Sequence, residues 1–284
     1  MSGAERKVVM PTQEYLEELK NQLENGGLDY LEENSKFTFD CIRCGQCCRN
    51  RDDILLSPHD FFHLVKIEEM NPIEFLKKYT DSYIGSSSNL PIVRIKFREE
   101  PNGHNTCPFL GQKDGKHYCR VHEGKPNVCR TYPLGRISGF STDKDCKDRF
   151  LEPRYFMQPM NMNEMCQGMR SAVLNHTEQE VLSWVGGREK KDFADRYWYL
   201  FSEFTENLSQ TINLAELRKL KNEEFIQRFY DMFFGLYYLN YDFSLDDEHF
   251  LKRYKENTEG ILAYCEICAK HPSGKLRPKL KKGA

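Results

Sequence analysis

Cys41-Ile42-Arg43-Cys44-Gly45-Gln46-Cys47-Cys48 places four thiols in eight residues. A Cys-x-x-Cys loop lets two thiolates converge on one metal with little strain, and Gly45 lets the backbone turn so that the next pair can approach too. Four thiols suffice for a tetrahedral zinc or for the four irons of a cubane cluster. Adjacent side chains usually point apart, so one of Cys47 and Cys48 is expected to face a second group of ligands.

Such a group follows. Cys107-Pro108-Phe109-Leu110, Tyr118-Cys119-Arg120, Val128-Cys129-Arg130 and Cys166-Gln167-Gly168 supply four more thiols. Asp114-Gly115, between Cys107 and Cys119, is a hairpin-type turn signal that can bring those two together. The candidate metal ligands are therefore Cys41, Cys44, Cys47, Cys48, Cys107, Cys119, Cys129 and Cys166. Eight thiols can hold two four-thiolate sites, or one cluster with spare structural or reactive cysteines, and the sequence leaves both arrangements open. Eight thiolates would repel one another unless a metal neutralised them or the thiols stayed protonated. Arg43, Arg49, Arg51, Arg120 and Arg130 lie within three residues of these cysteines and can offset what charge is left.

The other three of the 11 cysteines read differently. Cys146 sits in a charged stretch and reads as an incidental free thiol. Cys265 and Cys268 extend an apolar helical face begun by Ile261, and buried cysteine is a common small hydrophobe, so both read as core. His122 follows Cys119 at a ligand-like spacing but reads as a satisfied or solvent-facing histidine. Thiols exceed what one zinc needs and histidine ligands are scarce, which favours an iron–sulfur cluster of the 4Fe-4S kind over zinc or mononuclear iron.

Beyond the cysteines, the chain of 284 residues has 41 basic and 43 acidic side chains, a net charge of −2. It lacks the basic bias of a nucleic-acid binder. No stretch approaches the ~20 apolar residues of a membrane span, and the first ten residues lack the apolar core of a secretory signal. A cytoplasmic chain with reduced thiols is expected, and the odd cysteine count disfavours a closed disulfide framework.

Ser57-Pro58-His59-Asp60 and Asn71-Pro72-Ile73-Glu74 each open a helix, with a capping side chain, proline at the first helical position and an acid in the first turn. Leu90–Phe97 alternates as a strand, with Val93, Ile95 and Phe97 on one face. Phe193, Tyr197, Leu200, Phe201, Phe204 and Leu208 follow the helical period, as do Phe225, Phe229, Met232, Phe233 and Leu236. The expected fold is α+β. Residues 1–37 form an N-terminal helical appendage, with a helix over 12–24, and 38–175 a cysteine-cluster metal-binding domain of short helices and a small strand or hairpin element. Residues 176–269 form a mostly helical C-terminal region and 270–284 a basic, disordered tail.

The ordered blocks, Cys41 to Cys48, then Cys107-Pro108-Phe109-Leu110, then Tyr118 to Gly135 with its two cysteines, then Cys166, resemble the YkgJ-type cysteine-cluster family of zinc- or iron-chelating CxxCxxCC domains over about residues 38 to 170. Where that family commonly has Arg-Pro before the third block's cysteine, this chain has Lys125-Pro126, which keeps the charge and loses the planar fork. Where Cys-Pro-Gly is frequent, it has Cys166-Gln167-Gly168. The family in turn distantly resembles flagellin lysine N-methylases, which implies an iron–sulfur cluster, S-adenosylmethionine and a protein substrate. No GxGxG strand-turn-helix fingerprint and no CxxxCxxC accompany it. A protein-lysine N-methyltransferase is thus one reading, and a zinc-stabilised module binding a protein partner is another.

Overall fold

A computed structural model describes residues 30–51, 53–101, 103–140, 150–158, 166–273 and 275–278. The helix expected over 12–24, Cys146 and the end of the basic tail lie outside them. Helices and several small antiparallel strand sets together make a mixed α+β fold, as the sequence predicts.

Helix α1 (Pro58–Ile67) begins where the sequence places it. Ser57 Oγ accepts the Asp60 N–H at 3.1 Å and Asp60 Oδ2 accepts the Ser57 N–H at 3.0 Å, a reciprocal capping box that satisfies two otherwise orphaned donors. Its buried side, Phe61, Phe62, Leu64 and Val65, faces the core. Helix α2 (Pro72–Tyr79) starts at Asn71, whose Oδ1 accepts the Ile73 N–H at 2.9 Å, and buries Phe75 and Tyr79.

The chain then turns into strand Thr80–Ile84, which pairs antiparallel with Pro91–Ile95 from Thr80 opposite Ile95 to Ile84 opposite Pro91. Leu55–Leu56 covers the other edge of Pro91–Ile95. Pro91, Val93 and Ile95 are buried and Ile92 and Arg94 half-buried, the alternation expected of a one-sided sheet. The strand stops at Ile95 rather than Phe97 because its partner has five residues, after which the Lys96 N–H reaches the Tyr79 carbonyl.

Three helices close this core from the C-terminal side. They are Gly187–Thr211, Glu223–Phe234, which runs on into a π-helical turn at Gly235–Leu239, and Asp247–Ala269. Phe193, Tyr197, Phe204 and Leu208 from the first, and Phe229 and Phe233 from the second, are buried as their spacing predicts. They join Phe61, Phe75, Val93 and Phe109 in one apolar cluster. Cys265 and Cys268 belong to it and are buried, in keeping with a packing role. Among the described residues no helix is long and apolar enough to cross a membrane.

A smaller cluster forms around Phe37, Phe39, Leu134, Tyr155 and Cys166. It lies beside a sheet ordered Tyr30–Leu31, Phe150–Met157, Leu134–Phe140. Phe37 enters it from the short strand Lys36–Thr38, which pairs with Glu178–Glu180. Cys107 belongs to the larger cluster, with Cys48, Cys119 and Cys129 packed against it, and Cys166 belongs to the smaller one.

Candidate metal centre

Two left-handed residues shape the first cysteine loop, Arg43 with φ 57° and Gly45 with φ 73°. Glycine adopts that conformation without steric cost. The space is also tight, since a Cβ on Gly45 would lie 3.0 Å from His117 Cγ. A 3-10 turn over Gln46–Cys48 follows, closed by the Cys48 N–H on the Gly45 carbonyl at 3.1 Å. This turn sets the Cys47 and Cys48 sulfurs 3.9 Å apart. The expectation that the two adjacent side chains diverge is therefore corrected, because the tight turn draws both sulfurs to one place.

The loop is docked by backbone bonds. The Cys107 N–H donates to the Cys48 carbonyl at 2.9 Å and the His117 N–H to the Arg43 carbonyl at 3.2 Å. Arg49 Nη1 donates to the Cys44 carbonyl at 3.3 Å, while its Nη2 lies 2.7 Å from His117 Nε2. The hairpin foreseen at Asp114-Gly115 is present, with strands Leu110–Lys113 and Lys116–Cys119 and positive φ at both turn residues. Leu110 pairs with Cys119, and the Leu110 N–H donates to the Cys107 carbonyl at 3.1 Å, so the turn brings Cys107 and Cys119 to one end of the hairpin.

Cys129 arrives on the short helix Asn127–Thr131. The Asn127 N–H donates to Asp60 Oδ1 at 2.7 Å, so the buried carboxylate that closes the α1 capping box also fixes the start of the helix bearing Cys129.

Through-space charge interactions sort the thiols into two adjoining sets. Cys48 interacts with Cys47, Cys107 and Cys129, and Cys107 with Cys119 and Cys47. Cys44 interacts instead with Cys166, Cys47 and Cys41. Cys47 therefore stands at the junction. The hydrogen bond from Cys48 holds the Cys47 thiol below the usual range against the effect of burial, with Arg51 and Lys125 adding to the lowering. Donating that proton, followed by burial, pushes Cys48 up. Burial raises Cys107 to about 11 and also raises Cys44, Cys119 and Cys129. Buried thiols of this kind stay protonated by themselves, and a bound cation is what would deprotonate them.

Cys166 is brought to Cys44 by a different device. It stands just before the helix Gln167–Asn175, where the Asp40 N–H donates to the Gly168 carbonyl at 3.1 Å and Ser171 Oγ to Asp40 Oδ2 at 2.9 Å. A Cβ on Gly168 would lie 2.5 Å from the Asp40 carbonyl oxygen, a backbone atom that cannot swing aside. Gly168→Ala is accordingly expected to lower stability by about 1–3 kcal/mol and to move Cys166 away from Cys44. A urea melt measures the first effect and the rate of Cys166 alkylation in metal-free protein the second.

Of the arginines nominated from sequence, Arg51 stands nearest this role, interacting with Cys47 and Cys129 while forking onto Asp53 at 2.7 and 2.8 Å. Arg49 and Arg130 bind backbone carbonyls, and Arg120 a carbonyl and Glu68. Lys125, in the position where the resemblance favours arginine, supplies a second charge to Cys47 and Cys119. His122 is exposed, and the charges that act on it are those of Lys125, Glu123, Arg130 and Arg43. Sequence reasoning missed Asp60 as an anchor of the Cys129 helix and Tyr132, whose hydroxyl shares a hydrogen bond with Cys166. The only signal for Asp60 was its capping role; Tyr132 had none beyond lying one helical turn after Cys129.

Neither a curated protein nor a solved structure matches the chain. One family does, by a model described as "CxxCxxCC: Putative zinc- or iron-chelating domain", over residues 40–152. That span takes in seven of the eight candidate ligands, from Cys41 to Cys129, and over it the chain is similar to the zinc- or iron-chelating domains that this model describes.

Proposed function

We propose that this domain binds iron as an iron–sulfur cluster, held by thiolates drawn from Cys47, Cys48, Cys107, Cys119 and Cys129, with Cys41, Cys44 and Cys166 completing the adjoining set. The observation that carries this reading is the spacing of the sulfurs. Among the described residues no three of them lie within 4.8 Å of one another. A zinc tetrathiolate with bonds of about 2.3 Å needs every edge near ~3.8 Å. The Cys47–Cys48 edge, at 3.9 Å, has that length, but no third sulfur among the described residues lies within 4.8 Å of both. A multi-iron cluster bridges wider gaps with its own irons and sulfides.

Such a cluster supplies one-electron chemistry when bound. The protein's own residues supply the rest: Arg51 and Lys125 offset thiolate charge, and the buried Cys107 lies on the water-excluded side of the set. The reading is tested by the visible spectrum of anaerobically purified protein. A broad band at about 400 nm that bleaches on reduction is expected, and colourless protein that nonetheless holds stoichiometric metal would overturn it.

The raised thiols also set a pH dependence. Cys48, Cys107, Cys119 and Cys129 are protonated in metal-free protein at neutral pH, so binding through them releases protons and apparent affinity falls as pH falls, about tenfold per unit for each proton displaced. Ordinary thiols would reach their plateau near ~8.5. Here the affinity for Zn2+, used as a substitute probe in chelator competition, is expected to keep rising beyond that point, because Cys107 titrates at about 11. A flat profile from about pH 8 to about pH 10 would argue that other groups bind the ion.

A further inference from the structure

The cysteines leave one cluster of metal-binding side chains unexplained. His59 and His63, one turn apart on α1, meet Asp247 at the first turn of the helix Asp247–Ala269. His59 Nε2 and His63 Nε2 are 2.9 Å apart, and Asp247 Oδ1 lies 2.8 Å from His63 Nε2 and 3.4 Å from His59 Nε2. Among the described residues this is the one group of three such atoms within 4.8 Å of each other.

Protons alone satisfy this triangle poorly. A neutral imidazole is a donor at one nitrogen and an acceptor at the other. If one Nε2 carries the proton, the other sets its lone pair against the carboxylate. If both carry it, two N–H groups meet at 2.9 Å, and if neither does, three lone pairs converge. A cation satisfies all three atoms together. Metal–ligand bonds of about 2.0–2.1 Å give edges of roughly 2.9 Å for ligands at right angles and ~3.4 Å for a tetrahedral pair. The three observed edges of 2.8, 2.9 and 3.4 Å span that interval and leave a point about 2 Å from every corner.

The surroundings fix the ligands and leave one side open. The His59 ring is packed against Phe193 at 4.4 Å and Phe250 at 5.0 Å between centroids. All three ligands line a cavity of about 590 Å³ that is also lined by Asn127, Arg130 and Thr131, neighbours of Cys129 on its helix. Two histidines and one carboxylate with free positions towards a cavity form the donor set of catalytic zinc and non-haem iron(II) centres.

We propose that His59, His63 and Asp247 form a second metal site, separate from the cysteine centre, for one divalent first-row transition ion such as Zn2+ or Fe2+. The remaining coordination positions of that ion face the cavity and are open to water or to an anionic group of a ligand. The cysteine centre and this site then border the helix Asn127–Thr131 from two directions.

Co2+ is the probe that separates the two centres, because thiolate ligation gives it intense sulfur-to-metal charge-transfer absorption and nitrogen and oxygen ligation only weak visible bands. Full-length protein with its thiolate centre filled should bind one further equivalent of Co2+ with the weak bands alone, and gain thermal stability from it. His63→Gln and Asp247→Asn should each weaken that equivalent by more than about a hundredfold, beyond the loss caused by removing an outer-shell partner. Sulfide content, which reports the cysteine centre alone, should stay as in the wild type. Asp247→Asn keeps side-chain shape and leaves the cap at Asp246 in place, so its failure to bind would not reflect a lost fold. The proposal is overturned if the extra equivalent shows sulfur charge transfer, if both variants bind it like the wild type, or if filled protein binds none.

Discussion

Replacing Cys48 with serine is expected to leave the chain with less than about a tenth of its acid-labile sulfide and thiolate-bound metal and to lower its stability by several kcal/mol. Cys48 is the thiol with most at stake. Its sulfur is 3.9 Å from that of Cys47, its charge interactions reach Cys107 and Cys129, and its carbonyl receives the Cys107 N–H. Serine keeps the backbone bond and removes the ligand. Metal binding to a site that exists only in the folded chain is itself folding free energy, which is why stability must fall with metal content. Cys265→Ala is the control: its thiol is wholly buried in the apolar core, so that variant should lose some stability and keep its metal. Elemental analysis paired with thermal melts reads both, and full metal retention by Cys48→Ser would place the centre elsewhere.

The second large effect is expected from Phe61→Ala, a loss of about 3–5 kcal/mol and a fall of roughly 10 °C in Tm. Phe61 is fully buried, and its ring meets Phe75 edge-on at 5.5 Å, Tyr238 at 6.0 Å and Phe243 at 6.1 Å. Those partners come from α2 and from the C-terminal half, so one truncation opens a cavity where both halves of the chain meet. The neighbouring Asp60 anchors the helix that bears Cys129, so looser packing of α1 should also speed metal loss to a chelator. Ile267→Ala, at a site 66% exposed, should change neither quantity. A Phe61→Ala variant as stable as the wild type would contradict the shared core.

Much of this architecture is legible in the sequence wherever the signal is local. Ser57 with Asp60 and Asn71 with Pro72 mark two helix starts because capping is decided within four residues. Asp114-Gly115 marks the hairpin because both turn residues need positive φ. The strand pair Leu134–Phe140 and Phe150–Met157 escaped notice. Gly135, Arg136, Gly139 and Arg154 break its alternation, and its register shifts between Ile137 and Gly139. In the site, ligand types and blocks are readable, but their grouping is not. It depends on the 3-10 turn at Gln46–Cys48, on Asp60 reaching across to Asn127, and on Asp40 holding the Cys166 segment, contacts between residues 67 and 131 positions apart in the last two cases. His59 and His63 read as ordinary residues of an amphipathic helix until the fold brings Asp247 from 184 positions away.

Iron, zinc and acid-labile sulfide, counted per chain in full-length protein purified without oxygen, test the central claim most directly. An iron–sulfur centre held by the CxxCxxCC domain predicts iron and sulfide in near-equal amounts, both lost together in Cys48→Ser. Zinc bound at the thiols with no sulfide present would contradict it.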